Sequence, residues 1–347
     1  MHISNWGKKF FVFRHSKWAK SLALFVLVLG SILLGFKIGT YFVYHQPQEN
    51  NSGSVRKQGL YKFINPLLEC DIQDKRLNNL YIPFEEKLKQ SINNLNEKKY
   101  QNKEFAVYFR DLNNGPWLGI NSSAAFTPAS LMKVPLLITY YKQAESDPTI
   151  LQKKIVLQES DADFSQNIVT GENLTIGEEY TVEELINFMI INSDNTAMFN
   201  LLNNIDQEKL DKVYLDLGIT VPNFRTPEDF MSVKEYASFF RILYNAAYLN
   251  EYYSEKSLSL LSRTKFLDGL VAGVPFGTKV SHKFGERKNT DLATANEQLH
   301  ECGIVYFPKH PYLLCVMTRG NDFEQMSKFI ADVSGLVYQT MKKTYNQ

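Results

Sequence analysis

Residues 21–36 (Ser-Leu-Ala-Leu-Phe-Val-Leu-Val-Leu-Gly-Ser-Ile-Leu-Leu-Gly-Phe) form a long apolar run, and residues 38–44 continue it past Lys37, whose ammonium can snorkel to an interface. About 20 such residues span a bilayer as a helix. From Gln46 to Gly59 the chain is polar and turn-rich, as a linker is. The pattern then becomes that of a folded domain. Pro83–Asn96 is predicted helical with proline near its start, and 105–110 and 117–121 are predicted strands joined by the turn Asn113-Asn-Gly-Pro116. Leu131–Ala144 is a mostly apolar helix that tolerates Pro135 because it falls in the opening turn. Thr181-Val-Glu-Glu184 is a capping box for a helix over 183–191, and further helices fit 197–204, 233–249 and 257–263. Strands return at 279–284, 301–307 and 312–318, the last two around Pro308-Lys-His-Pro311, and 323–343 closes the chain as an amphipathic helix. Strands at both ends with helices between predict one α/β domain whose antiparallel sheet is assembled from distant parts of the chain. The expected organisation is a basic cytoplasmic segment over 1–20, a transmembrane signal anchor over 21–44, a linker over 45–79 and the domain over 80–347.

Charge sharpens the reading of the first segment. Residues 1–44 hold six bases (Lys8, Lys9, Arg14, Lys17, Lys20, Lys37) and no acid, and the 32 bases that remain face 37 acids. By the positive-inside rule the first 20 residues stay cytoplasmic and the domain is exported. A cleaved signal peptide fits less well, because the apolar run exceeds the usual ~7 to 15 residues and no small-x-small site follows it cleanly. With 38 bases and 37 acids overall there is no global field to attract nucleic acid. Export makes Cys70, Cys302 and Cys315 eligible for a disulfide. Cys302 and Cys315 lie on consecutive predicted strands, where pairing depends on register and free buried thiols are the alternative. No spacing resembles a zinc site.

Ser-x-x-Lys occurs three times, at Ser54–Lys57, Ser130–Lys133 and Ser262–Lys265, so alone it says little. Only Ser130 stands at the entrance to a long apolar helix, where residues three apart share a face and Lys133 is within reach of the hydroxyl. A lysine serves as base toward serine if burial or a second ammonium lowers its pKa. The plainer reading is a helix N-cap beside a solvated lysine. Two further signals follow in order. Ser193-Asp194-Asn195 falls in the break between two helical runs and offers a proton-relaying hydroxyl, an amide and a bracing carboxylate. Lys283-Phe284-Gly285 lies on a predicted strand, with glycine where another segment can approach closely.

With these three motifs in order, the chain resembles the penicillin-recognising serine hydrolases, closest to class A β-lactamases and the small DD-peptidases like them. The flanks agree: Phe126-Thr-Pro-Ala-Ser130, Tyr180-Thr-Val-Glu-Glu-Leu185, and His282 before Lys283. The resemblance covers roughly residues 80–343 and implies a β-lactamase/transpeptidase-like fold, a sheet flanked by helices plus an all-helical subdomain. It makes Ser130 the nucleophile and Lys133 its base. Ser193 would pass the proton to the leaving nitrogen, and Asn195 would hold the substrate amide. Lys283 would supply charge to Ser193 and to a substrate carboxylate, with Gly285 allowing close approach, and the backbone N–H groups of Ser130 and Glu286 would form the oxyanion hole. The implied substrate is a β-lactam or a peptidoglycan peptide, with no cofactor, no metal and no nucleic acid.

Two departures stand out. Phe284 replaces the hydroxyl residue that in this family helps bind the substrate carboxylate, a loss for which Arg287 or Arg319 would have to compensate. The family's deacylating Glu-x-x-Leu-Asn is absent, and in the short stretch 218–232 Glu228 and Asp229 are the available acids, with Glu228 the candidate base and helix-start acids that stabilise the macrodipole the plainer reading of both. The reading is a membrane-anchored extracytoplasmic serine acyl hydrolase. Its rivals are an efficient resistance β-lactamase and a non-catalytic wall-binding module whose cleft Phe284 blocks.

Overall fold

The computed structural model describes residues 27–31, 35, 37, 55–57, 59–69, 77–113, 117–159, 174–288 and 297–345. Met1–Asn51 and Ser52–Gln347 are two separate compact units. Of the predicted anchor, residues 27–31, 35 and 37 are described and helical; the rest of it, the basic segment before it and Cys70 lie outside the described residues. Among the described residues no helix is long and apolar enough to cross a membrane.

In the second unit the elements run β1 (Val55–Arg56), β2 (Leu67–Glu69), α1 (Leu77–Leu95), β3 (Glu104–Asp111), β4 (Trp117–Ile120), β5 (Ala125–Phe126), α2 (Lys133–Ala144), β6 (Lys154–Val156), β7 (Glu179–Thr181), α3 (Val182–Ile191), α4 (Asn195–Leu202), α5 (Gln207–Asp216), β8 (Met231–Ser232), α6 (Val233–Tyr244), α7 (Glu251–Leu261), β9 (Val280–Arg287), β10 (Glu297–Val305), β11 (Tyr312–Gly320) and α8 (Phe323–Tyr345). The central sheet has the order β4-β3-β11-β10-β9 and every pairing in it is antiparallel. As expected, strands from both ends of the chain make one sheet.

Each face of that sheet buries its own core. Alternation sends Ala106, Tyr108, Leu313, Cys315, Met317, Cys302 and Ile304 toward α2, α3, α6 and α7, while Val107, Phe109, Leu314, Val316 and Leu299 meet α1 and α8 on the other side. Helix α2 is buried along most of its length, and Pro135 sits in its first turn, where a missing N–H costs nothing. Thr181 caps α3 in the expected capping box, and Ser232 does the same for α6.

The differences from expectation are local. α1 begins at Leu77 rather than Pro83. α5 was not expected: its polar surface masks a narrow stripe of Leu210, Val213 and Tyr214, and Asp206 caps it. Part of the stretch read as linker belongs to the domain. β1 and β2 form a ribbon, Phe63 and Ile64 are buried, and Glu255 accepts hydrogen bonds from the backbone N–H groups of Lys62, Phe63 and Ile64. Cys302 and Cys315 are direct partners across β10 and β11 and are joined in a disulfide.

Candidate active site

The three motifs, distant in sequence, meet at the edge of the sheet beside β9. A 3-10 turn over Ala129–Met132 delivers Ser130 immediately before α2, and Ala129 takes a left-handed conformation with φ 49°. Such a conformation in a non-glycine residue is sustained only where the surroundings over-determine it. The surroundings here are substantial. Tyr236 donates to the carbonyl of Leu131 at 3.0 Å, and the carbonyl of Thr127 meets Nε2 of buried His300 at 3.0 Å.

Lys133, on the first turn of α2, is completely buried. Its Nζ lies 3.0 Å from Ser130 Oγ, 2.6 Å from Asn195 Oδ1 and 3.2 Å from Ser193 Oγ, and it also donates to the carbonyl of Ser193. Burial lowers its pKa to about 7, with Asp194 and Glu286 opposing the fall. A neutral amine has two N–H donors and one lone pair. With the donors given to Asn195 and the Ser193 carbonyl, the lone pair is left to accept the Ser130 hydroxyl proton.

Ser193 is buried in the break between α3 and α4, with φ 57°, and Asp194 caps α4 by accepting from the Ala197 N–H at 2.7 Å. The left-handed turn aims the Ser193 hydroxyl between two lysines. Lys283, on β9 and also fully buried, donates to Ser193 Oγ at 2.8 Å and to the carbonyl of Phe284 at 2.8 Å. Burial and then the like charge of Lys133 hold its pKa well below that of a free lysine. Gly285 is where β9 touches the turn that carries Ser130: a Cβ there would lie 2.7 Å from the carbonyl oxygen of Pro128 and 3.1 Å from the Leu131 nitrogen. The chain Ser130–Lys133–Ser193–Lys283 is therefore continuous in hydrogen-bond contact.

The remaining candidates lie around this chain. Phe284 does not plug the cleft: its ring is 1% exposed, stacks on Phe266 at a centroid distance of 4.5 Å and sits 4.2 Å beneath the Lys283 ammonium. Glu228 is on the surface, its side chain 72% exposed and ion-paired with Arg287 at 3.0 Å. Asp229 accepts from Thr127 Oγ1 at 2.7 Å, from Gln298 at 3.0 Å and from Arg319 at 2.8 Å, and Arg319 also pairs with Glu104. Sequence reasoning missed this clamp. It also missed the buried pair His282–Glu301, whose Nδ1 and Oε1 are 2.5 Å apart behind Lys283.

Fold and site together define a serine hydrolase. The chain belongs to the beta-lactamase enzyme family, whose model matches residues 87–341. Among solved structures it is similar to PBP-A in its acyl-enzyme complex with penicillin G (23% identity, TM-score 0.63, covering 74% of this chain and 97% of that one). It is likewise similar to the beta-lactamase from Sphaerobacter thermophilus (20%, 0.62, 74% and 96%) and to a class A beta-lactamase from Bacteroides cellulosilyticus (17%, 0.64, 75% and 98%). No curated protein matches the chain.

Proposed function

We propose that this protein is an extracytoplasmic, membrane-anchored acyl hydrolase or transferase that forms an ester at Ser130 with peptidoglycan-type peptides and with β-lactams. The observation that carries the reading is the 3.0 Å contact between Ser130 Oγ and a buried amine whose pKa is about 7. Lys133 takes the hydroxyl proton as Ser130 Oγ attacks the acyl carbon. Ser193, polarised by Lys283, returns a proton to the leaving nitrogen, and Asn195 holds the substrate amide. The backbone N–H groups of Ser130 and Glu286 stabilise the developing oxyanion, and losing one such donor in comparable sites costs roughly 10² to 10³ in rate. The basic residues 8–20 and the apolar run 21–44 support the anchor and its orientation.

Two features support slow release of the acyl group rather than efficient β-lactamase turnover. Glu228 is committed to Arg287 at the surface, and Asp229 is committed to Thr127, Gln298 and Arg319. Incubation with a fluorescent penicillin is expected to label the protein slowly and durably, and Ser130→Ala to abolish the label. Equal labelling of the two proteins, or none of the wild type, would refute the acyl-enzyme.

A further inference from the structure

His282 and Glu301 are buried and titratable, and the chemistry proposed above does not use them. Alternation along β9 turns Lys283 toward Ser193 and turns His282 and Phe284 to the other face of the sheet, where Phe284 joins the core beneath α8. Glu301 is the β10 partner of Phe284 and so stands on that same face. There its Oε1 lies 2.5 Å from His282 Nδ1, and its Oε2 accepts from the Leu270 N–H at 2.7 Å. A ring nitrogen that close to a carboxylate oxygen carries a proton. Two glycines leave the space the pair needs. A Cβ at Gly269 would stand 1.8 Å from Glu301 Oε2, and one at Gly303, opposite His282, would stand 2.5 Å from the His282 Cβ. Thr264 Oγ1 donates to the His282 carbonyl at 2.9 Å. β9, β10 and the stretch 264–270 therefore converge on the residue that precedes Lys283.

Stability alone does not account for this pair. It has given up its hydration on a face that also carries Phe284 and Leu299, and apolar residues of similar volume would serve a fold as well or better there. What a buried, directional pair supplies is fixed geometry and a charge that water screens little. Both bear on Lys283. The charged groups acting on its ammonium are Lys133 of α2, which favours loss of the proton, and Glu286 of β9 and Glu301 of β10, which oppose it. Glu286 opposes proton loss at Lys133 as well, together with Asp194 from the turn before α4, whereas Glu301 bears on Lys283 of the two.

We propose that Glu301 is a positioning residue for Lys283: from the opposite face of the sheet its carboxylate joins His282 to the Leu270 amide and so fixes the part of β9 from which Lys283 reaches Ser193. The proposal rests on the acyl-serine reading and deepens it. Lys283 has to keep its proton to polarise Ser193, so the plateau of acylation above about pH 7 ends where that proton is lost.

The test follows acylation of the full chain by benzylpenicillin, read by intact mass from about pH 6 to about pH 10. Glu301→Gln is expected to lower the plateau roughly tenfold, within the ~10² that a misplacement of about 1 Å costs. Its falling limb is expected to begin at lower pH while the rising limb set by Lys133 stays in place. His282→Asn, whose amide nitrogen stands where Nδ1 stands, is expected to keep the plateau within about threefold and both limbs unmoved. A wild-type profile in Glu301→Gln would overturn the proposal. So would a profile lowered evenly with both limbs in place, since that is what a merely structural role gives. Should Glu301→Gln fail to fold, His282→Asn and His282→Leu decide: the proposal requires the leucine variant, which has no donor for Glu301, to be slower by roughly tenfold, and equal rates in the two would overturn it. Each of these outcomes leaves the acyl-serine reading standing; absence of any adduct at Ser130 in the wild type would sink both.

Discussion

The amine of Lys133 and the hydroxyl of Ser193 lie 3.2 Å apart, and the Ser193 hydroxyl is in turn 2.8 Å from the second buried amine, Lys283. Two lysines thus share one serine, and they cannot both stay charged there without loss. Burial is the largest cause lowering each, and the proximity of Lys133 adds to it for Lys283. For Lys133 as the proposed base this fixes the direction of the pH dependence. Lys133 accepts a proton only when neutral, so acylation is expected to rise with pH through about 7 and then level off. Lys133→Ala is expected to lower the acylation rate by about 10² to 10⁴, the usual contribution of a positioned base. Stopped-flow or intact-mass acylation rates over pH 5 to 9 check both statements, and a wild-type profile without a rising limb would remove Lys133 from the base's role.

His300 gives stability its own pH dependence. It is fully buried on β10, its Nδ1 accepts from the Thr318 N–H at 3.2 Å, and its Nε2–H is therefore left to donate to the Thr127 carbonyl at 3.0 Å. Burial lowers its pKa to about 4. The unfolded chain titrates near 6.5, so the folded state binds fewer protons between these values. Stability from this residue is complete above about 6.5 and is lost as pH falls toward 4, by on the order of 3 kcal/mol in all. Urea unfolding at pH 7.5 and pH 4.5 measures it. His300→Gln is expected to be less stable at pH 7.5 and to show a flatter dependence, whereas an equal slope in both proteins would contradict the assignment.

The central sheet was legible because its inner strands are continuous apolar runs, Phe105–Phe109 and Tyr312–Met317, as strands covered on both faces are, and turn residues lie between them. Ser130, Lys133 and Ser193 were legible as candidates because each lies within a short local motif that also starts a helix. What could not be read is what depends on register. Arg319 and Asp229 are 90 positions apart, and only the alignment of β11 with β3 places Arg319 opposite Glu104 and near the loop that carries Asp229. Phe284 was ambiguous for a related reason: a residue next to Lys283 on the strand can face either core, and its stacking on Phe266 decides the matter. The helix Gln207–Asp216 escaped notice because its apolar stripe is only three residues wide.

The Arg319–Asp229 clamp makes a prediction of its own. Asp229 ties the segment before Ser130 to β10 and β11 through Thr127, Gln298 and Arg319, and removing it takes one acceptor from each of the three, while Arg319 keeps Glu104 and Gln298 keeps Thr127 Oγ1. Asp229→Ala is expected to destabilise the protein by about 1 kcal/mol, the net worth of partly exposed hydrogen bonds and an ion pair whose donors keep other acceptors or reach water. It is also expected to slow acylation more than Glu228→Gln, whose exposed ion pair contributes at most about 1 kcal/mol. Denaturant midpoints and acylation rates of the two variants decide it. If Glu228→Gln lengthened the lifetime of the adduct more than Asp229→Ala did, the deacylating base would be Glu228 after all.

Gly285 joins the last of the three motifs to the first, and the space at its Cα is already taken. An added Cβ would stand 2.7 Å from the Pro128 carbonyl oxygen, closer than real Cβ atoms come to any neighbour, and 3.1 Å from both the Leu131 nitrogen and its Cγ. Two of those three atoms are backbone, so no side-chain rotation relieves the contact. β9 or the 3-10 turn has to move outward, and either movement separates the Glu286 N–H from Ser130 and lengthens the reach from Lys283 to Ser193. Gly285→Ala is therefore expected to cut acylation by at least tenfold, since a displacement of about 1 Å in a preorganised site can cost 10²-fold. The residue lies on the sheet's edge strand β9, whose outer side pairs with no further strand, so the displacement has room and the fold is expected to survive, with a circular dichroism spectrum like that of the wild type. Acylation at the wild-type rate in Gly285→Ala would show that β9 and the Ser130 turn need not touch for the chemistry to proceed.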